Sequence, residues 1–304
     1  MMQLAENENV IELLKKWMFK GFDREDDLQD EEVRMTGALC IGNIARSDKT
    51  CSTLMKIHRV GPFLLALLEK ETAIIIAGRN EQTKHSIKVI HAVVGALKNI
   101  SLGASNRKDL GEIGTLAKVT FLFRFSHLTP IHHSCLSILR NLCGGDNEGN
   151  VYRLLTGLEP SAPLVSSLQS SNSSTPLSEI VNLVAKSSEE RESGIRNEAG
   201  RVIVNIIRAI QRTNGLHELN LAVQFLPIIT SLNCVALIVQ IITGAQLLAL
   251  SNDSDQIDED RLDLDSFATL SKVFPSVQNE GILALALLLS SNITKANNSG
   301  KQYG

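Results

Sequence analysis

Aromatic residues are scarce in this chain, at 4% of 304 residues with a single tryptophan, Trp17. Sandwiches and barrels fill their cores with aromatic and β-branched side chains, so the scarcity argues against both. The abundance of Leu, Ile, Val and Ala suits packed helices instead. An excess of one charge is also missing: 30 basic residues face 33 acidic ones, for a net charge of −3. Without a global basic field, neither nucleic acid nor an anionic membrane surface is an expected partner. The five cysteines, Cys40, Cys51, Cys135, Cys143 and Cys234, form no CxxC and no metal-ligand spacing with histidine, so reduced thiols in a core and no metal site are expected. The start has no positive stretch leading into an apolar run, and no apolar run is long enough to span a bilayer. The expected location is therefore the cytoplasm, without insertion into a membrane, where the Asn-X-Ser/Thr triplets at Asn99, Asn172, Asn252, Asn292 and Asn297 carry no meaning.

Enzymatic signatures are absent too. There is no GxGxxG, no GxxxxGK[ST], no HExxH and no GxSxG, so no cofactor and no covalent chemistry are expected. His132 and His133 stand beside Cys135 in "PIHHSC", but neighbouring residues on a helix point to different faces. Two partly exposed imidazoles at a helix start are expected there, rather than a nucleophile and its base.

What the chain does have is self-similarity. "ALCIGNIA" around Asn43, "GALKNIS" around Asn99, "CLSILRNLC" around Asn141 and "GRVIVNII" around Asn205 align on their asparagines. "NEGILALALLLS" from 279 opens like "NEAGRVIVNII" from 197, with Leu287 in the asparagine's place, or Asn292 after a shift. The interval from Asn99 to Asn141 falls within the period of helical HEAT and armadillo arrays, roughly 40–47 residues. The intervals from Asn43 to Asn99 and from Asn141 to Asn205 are longer and require insertions, near 72–86 and 166–180, with another near 252–268. The serine-rich stretch 166–180, with its proline, reads as a loop. A short polar helix, a glycine and a strongly apolar helix follow each asparagine. Gly61, Gly114 and Gly157 stand at similar offsets after Asn43, Asn99 and Asn141, and Gly244 marks a later segment. Glycine there lets one helix stop and the next start at a sharp angle. The expected fold is all-α, a right-handed armadillo-repeat superhelix (an α-solenoid) of about five repeats spanning 1–295. It would begin in mid-repeat, carry no assigned register over 216–270, and end in a flexible tail, 296–304.

An amide in an apolar helix needs hydrogen-bond partners. Residues three, four and seven before Asn43 share its face: Cys40, Leu39 and Thr36. In the next units the same positions are Ala96, Gly95 and Ala92, with His91 at the edge; Ile138, Ser137 and Ser134, with His133 at the edge; and Val202, Arg201 and Glu198. Stacked repeats line such faces along an inner groove. The candidate partner-binding residues are thus Asn43, Asn99, Asn141, Asn205, His91, Ser137 and Arg201. Each asparagine either fixes the stacking of neighbouring repeats or also reaches a bound partner, and a carboxamide has enough donors and lone pairs for both. Two acidic clusters, 23–32 and 253–265, read as solvated loops or as electronegative rims. The first, with Glu25, Asp26, Asp27, Asp30 and Glu31, leads into the helix of Asn43 and is the better candidate for attracting a basic tail.

"GALCIGNIARSDKTCSTLM" (37–55), "HAVVGALKNISLGASNRKDL" (91–110), "SGIRNEAGRVIVNIIRAI" (193–210) and "QNEGILALALLLS" (278–290) resemble armadillo repeats. More narrowly, they are similar to the C-terminal half of the armadillo-type GDP-dissociation stimulators of small GTPases. That resemblance implies binding of Rho- and Rap-type GTPases, recognition of a lipidated (prenylated), polybasic C-terminus, and promotion of GDP release as guanine nucleotide exchange. It implies that Asn43 and Asn99, with Asn141, contact the GTPase. The insertions, and the repeats missing ahead of the first unit, depart from the family's pattern where a lipid tail would be recognised. Two other readings remain. One is an armadillo adaptor without exchange activity; an importin-like one would need groove tryptophans, and Trp17 lies outside the asparagine helices. The other is a fragment of a longer solenoid.

Overall fold

The computed structural model describes residues 2–20, 30–78, 80–160, 175–186, 193–212 and residue 238. Among these, every regular element is helical and none is a strand, as the aromatic-poor, aliphatic composition requires. Backbone contacts divide the chain into Met1–Glu159 and Pro160–Gly304, and each unit is described by itself.

In the first unit, α1 (Met2–Glu6) and α2 (Glu8–Met18) precede α3 (Glu31–Ile44), α4 (Asp48–Ser52) and α5 (Val60–Ile76). Then follow α6 (Asn80–Leu102), α7 (Arg107–Glu112), α8 (Thr115–Phe121), α9 (Thr129–Leu142) and α10 (Glu148–Thr156). A long helix, a short one and a further helix follow one another as α3-α4-α5 and again as α6-α7-α8, and α9-α10 begins the same order. The third helix has no fixed length, since α5 is longer than α3 and α8 is nearly as short as α7. Asn43, Asn99 and Asn141 each sit near the end of the long helix. α6 packs against α3 on one side and α9 on the other, with α5 behind. Ile41, Leu64, Leu67, Ile90, Leu97 and Ile100 are fully buried between these helices. Each such side chain stabilises the fold by about 1.5–3 kcal/mol relative to an exposed one. One buried ion pair joins the layers, Arg34 Nε to Glu71 Oε1 at 2.8 Å.

A residue in the left-handed region makes the sharp turn ahead of α5 and of α8, Arg59 (φ 50°) and Gly114 (φ 84°), and another ends α10, Gly157 (φ 73°). Counted from Asn43, Asn99 and Asn141, these three keep a nearly constant offset, steadier than the glycines alone give. Gly61 is therefore not the turn residue expected from sequence. It lies in the first turn of α5, where a Cβ would stand 2.7 Å from the Met55 sulfur. Arg59 takes the left-handed position at a cost of roughly 1–2 kcal/mol that a glycine would avoid.

The extra length between Asn43 and Asn99 is helix. α5 has 17 residues where α8 has 7, and α6 has 23 where α9 has 14. The 72–86 insertion thus lengthens two adjacent helices across a turn at Gly78, itself left-handed (φ 70°). In the second unit, α11 (Pro176–Lys186) includes residues 176–180, which the sequence reading gave to a loop. Proline suits a first helical position because the N–H it lacks has no partner there. α12 (Ser193–Arg212) carries Asn205. Residues 166–174, the unregistered 216–270 except Ile238, the 252–268 insertion, Cys234, Gly244, the region of Leu287 and Asn292, and the tail 296–304 lie outside the described residues.

Candidate functional site

The last carbonyls of a helix have no partner within it. At the end of α3, the Gly42 carbonyl accepts a hydrogen bond from Asn99 Nδ2 at 2.8 Å, across the seam with α6. The two helices come this close because Gly42 has no side chain: a Cβ there would lie 3.3 Å from the Ala96 Cα. Asn43, the next residue, is exposed, and its Oδ1 accepts from Arg46 Nη2 at 2.7 Å. These two bonds fix which way each amide faces. They leave Asn43 Nδ2 and Asn99 Oδ1 without a hydrogen bond among the described residues, one a pair of donors and the other an acceptor.

The next seam does the same job differently. Asn141 Nδ2 donates to Ser101 Oγ at 3.0 Å, and Ser101 Oγ donates to the Lys98 carbonyl at 2.7 Å. Lys98 precedes Asn99 as Gly42 precedes Asn43, so Asn141 reaches the equivalent carbonyl through one hydroxyl. Here the amide is buried, 7% exposed, and its Oδ1 accepts from Arg140 Nη2 at 3.2 Å. The last four carbonyls of α6 are all met by side chains. Asn99 O accepts from Cys51 Sγ, Ile100 O from Asn106 Nδ2, and Ser101 O and Leu102 O from Arg107 Nε and Nη2. Arg107 Nη1 also donates to Gly144 O beyond α9, at 3.3 Å, which ties the two helix ends together.

Between α3 and α6 the surface opens into a groove of about 510 Å³. Met35, Leu39, Gly42 and Asn43 line it from α3; Lys88, His91, Ala92, Gly95, Ala96, Lys98 and Asn99 line it from α6; Ser134 of α9 closes one side. Gly95 is unusual in this floor, because a Cβ added to it would meet nothing within 4 Å. A glycine inside a helix costs about 1 kcal/mol relative to alanine. No packing contact calls for it.

The structure therefore brings three of the sequence-selected residues, Asn43, Asn99 and His91, to one groove. Ser137 is buried and donates to the His133 carbonyl of its own helix at 3.0 Å, which leaves it closed to a partner. Asn141 belongs to the buried second seam. Asn205 and Arg201 belong to the other unit, both half-buried, with Arg201 Nη1 3.2 Å from Glu198 Oε1. Of the acidic rim, Glu25, Asp26 and Asp27 lie outside the described residues. Asp30 pairs with Lys20 at 2.9 Å, and Glu31 lies against His85 Nδ1. His132 is buried rather than partly exposed. Its Nε2 sits 3.1 Å from the Leu122 carbonyl and its ring stacks edge-on against Phe123. Burial pushes the neighbouring Cys135 thiol far above its usual range, so it holds its proton and makes a poor nucleophile. His133 is exposed.

The sequence reading missed Lys88, Lys98, Ser101 and Arg107. Lys88 was within reach of the helical count that found His91, since it stands about three turns before Asn99. Ser101 and Arg107 lie past the repeated motif, and their partners come from other helices, so no local pattern marks them. No protein-family model matches this chain, and no curated protein does.

Proposed function

We propose that the chain is an armadillo-type superhelix whose α3–α6 groove docks a small GTPase of Rho or Rap type and thereby stimulates GDP release. The observation that carries the docking part is the pair of half-used amides on one groove: Asn43 offers donors, Asn99 an acceptor, and together they match the C=O and N–H of a peptide group. The GTPase part is supported by the likeness of the repeat motifs to the GDP-dissociation stimulators. Its mechanism is differential binding. A regulator that holds the nucleotide-free form more tightly than the GDP-bound form lowers the cost of losing the nucleotide, without a covalent step.

The test is release of fluorescent GDP from a panel of Rho-, Rap- and Ras-type GTPases. Wild type is compared with Asn43→Ala/Asn99→Ala and with Gly95→Leu. The new Cβ would meet nothing within 4 Å, so the side chain starts into open groove, and leucine would favour the helix by about 1 kcal/mol. Wild type is expected to speed release and both variants, folded by circular dichroism, to fail. If no GTPase binds or responds, the proposal falls. An adaptor without exchange activity is the second reading, favoured by the two lysines of the groove, which suit capture of a charged segment. Binding without accelerated release would select it.

A further inference from the structure

We infer that the α3–α6 groove takes an acidic, extended segment of its partner, with carboxylates against Lys88, His91 and Lys98 and one peptide group across Asn43 and Asn99. This rests on the docking reading above and adds the chemistry of what docks. Among the described residues, those lining the groove include two lysines and a histidine and no carboxylate. Neither lysine is in an ion pair among the described residues. The described acids nearest the start of α3 are mostly spent elsewhere, Asp30 on Lys20 and Glu31 on His85, and exposed Glu32 stands outside the groove. A polybasic tail would therefore meet like charge here, and an acidic segment would meet its complement.

The backbone of the occupant follows from the amides. Inside a helix, peptide groups already bond one another, so a side-chain donor and acceptor pair reads only an extended or loop segment. Lys88 and Lys98 are separated along one helix by roughly 15 Å. An extended chain covers that in roughly four to five residues. The occupant's two carboxylates thus stand about four residues apart, with a small or apolar side chain between them against Leu39, which is 45% exposed. Among the described residues no aromatic side chain lines the groove, so the bases of a single-stranded nucleic acid would find no ring to stack on.

Fluorescence anisotropy of the full chain tests this with three labelled probes. One is an extended peptide with two aspartates about four residues apart on an alanine, valine and serine background. The second carries lysines in their place, and the third is a short oligothymidine. The acidic peptide is expected to bind, to weaken about tenfold or more with Lys88→Glu/Lys98→Glu, and to weaken as salt rises. The same reversal should strengthen the lysine peptide. Lys88→Gln/Lys98→Gln, checked for helicity, repeats the test with charge removed rather than reversed. The inference is overturned if the lysine peptide binds wild type as tightly as the acidic one, if the charge variants leave acidic-peptide affinity unchanged, or if the oligothymidine binds best. Should the acidic peptide fail while GTPase docking still depends on Asn43 and Asn99, the docking reading survives without this inference. Should the acidic peptide bind as expected while no GTPase does, the charge inference survives and the GTPase falls.

Discussion

The seam between α3 and α6 and the seam between α6 and α9 grow from one sequence pattern, yet one is open and the other sealed. At the first, a glycine brings backbones together, the asparagine reaches its carbonyl directly, and the neighbouring Asn43 stays exposed. At the second, a serine relays the bond, and Asn141 and Ser137 are buried. The same residue type thus locks one pair of helices and, at Asn43, faces solvent. A repeated asparagine marks where adjacent units meet. Its exposure differs from unit to unit: Asn43 is exposed, Asn99 half-buried and Asn141 buried.

Breaking the first seam is expected to cost most. Gly42→Val would force a branched side chain against Ala96, separate α3 from α6 and remove the Asn99 bond, lowering stability by about 2–3 kcal/mol in urea unfolding. Lys98→Ala, the matching position at the second seam, should change stability by no more than about 0.5 kcal/mol. Next comes Asn141→Ala, expected to cost about 1–2 kcal/mol because the amide is buried and tied to Ser101. Ser101→Ala in the same background should add little, since both changes break one relay. Asn99→Ala should cost about 1 kcal/mol. Asn43→Ala should stay within about 0.5 kcal/mol, because its amide is exposed. Equal losses at Asn43 and Asn141 would erase the contrast between the seams.

Thiol chemistry sharpens the same contrast with the smallest effect at neutral pH. Cys40, half-buried on the face of Asn43, is expected to react with a thiol reagent in the native state, while Cys135 and Cys143 stay protected. Burial pushes the Cys143 thiol up to about 12 from its ordinary 9.0. Its neutral form is favoured in the fold, so that contribution is complete below pH 9.0 and is lost as pH rises toward about 12. Wild type should therefore lose stability over that window more steeply than Cys143→Ala, as read from unfolding midpoints.

Much of this architecture is legible in the sequence, and the failures have physical causes. The alternation of a long helix and a short one was readable because the asparagine and the turn recur at nearly constant spacing. The expected medium third helix was not, since α5 is longer than α3 and α8 is nearly as short as α7. Gly61 misled the reading because a glycine can serve close packing as well as a left-handed turn, and Arg59 accepts the strain just ahead of it. The 72–86 insertion proved to be the lengthened ends of two helices around the turn at Gly78, and the proline in 166–180 opened a helix instead of breaking one. Asn43 and Asn99 were found by aligning the repeated segments, and His91 by counting helix turns back from Asn99. Ser137 was chosen by the same count and is buried, because periodicity gives a face and not what covers it. The relay through Ser101 and the clamp by Arg107 depend on contacts between helices that no single-helix pattern contains.

α6 starts at Asn80, far ahead of Asn99, while α3 and α9 start at Glu31 and Thr129, nearer to Asn43 and Asn141. With the asparagines aligned, α6 overhangs both neighbours by about two turns, roughly 10 Å. In a row of alike seams a ligand could settle one unit to either side and still find the same partners. The overhanging turns make one position in the row unlike the rest, so a chain docked as proposed would have a single address.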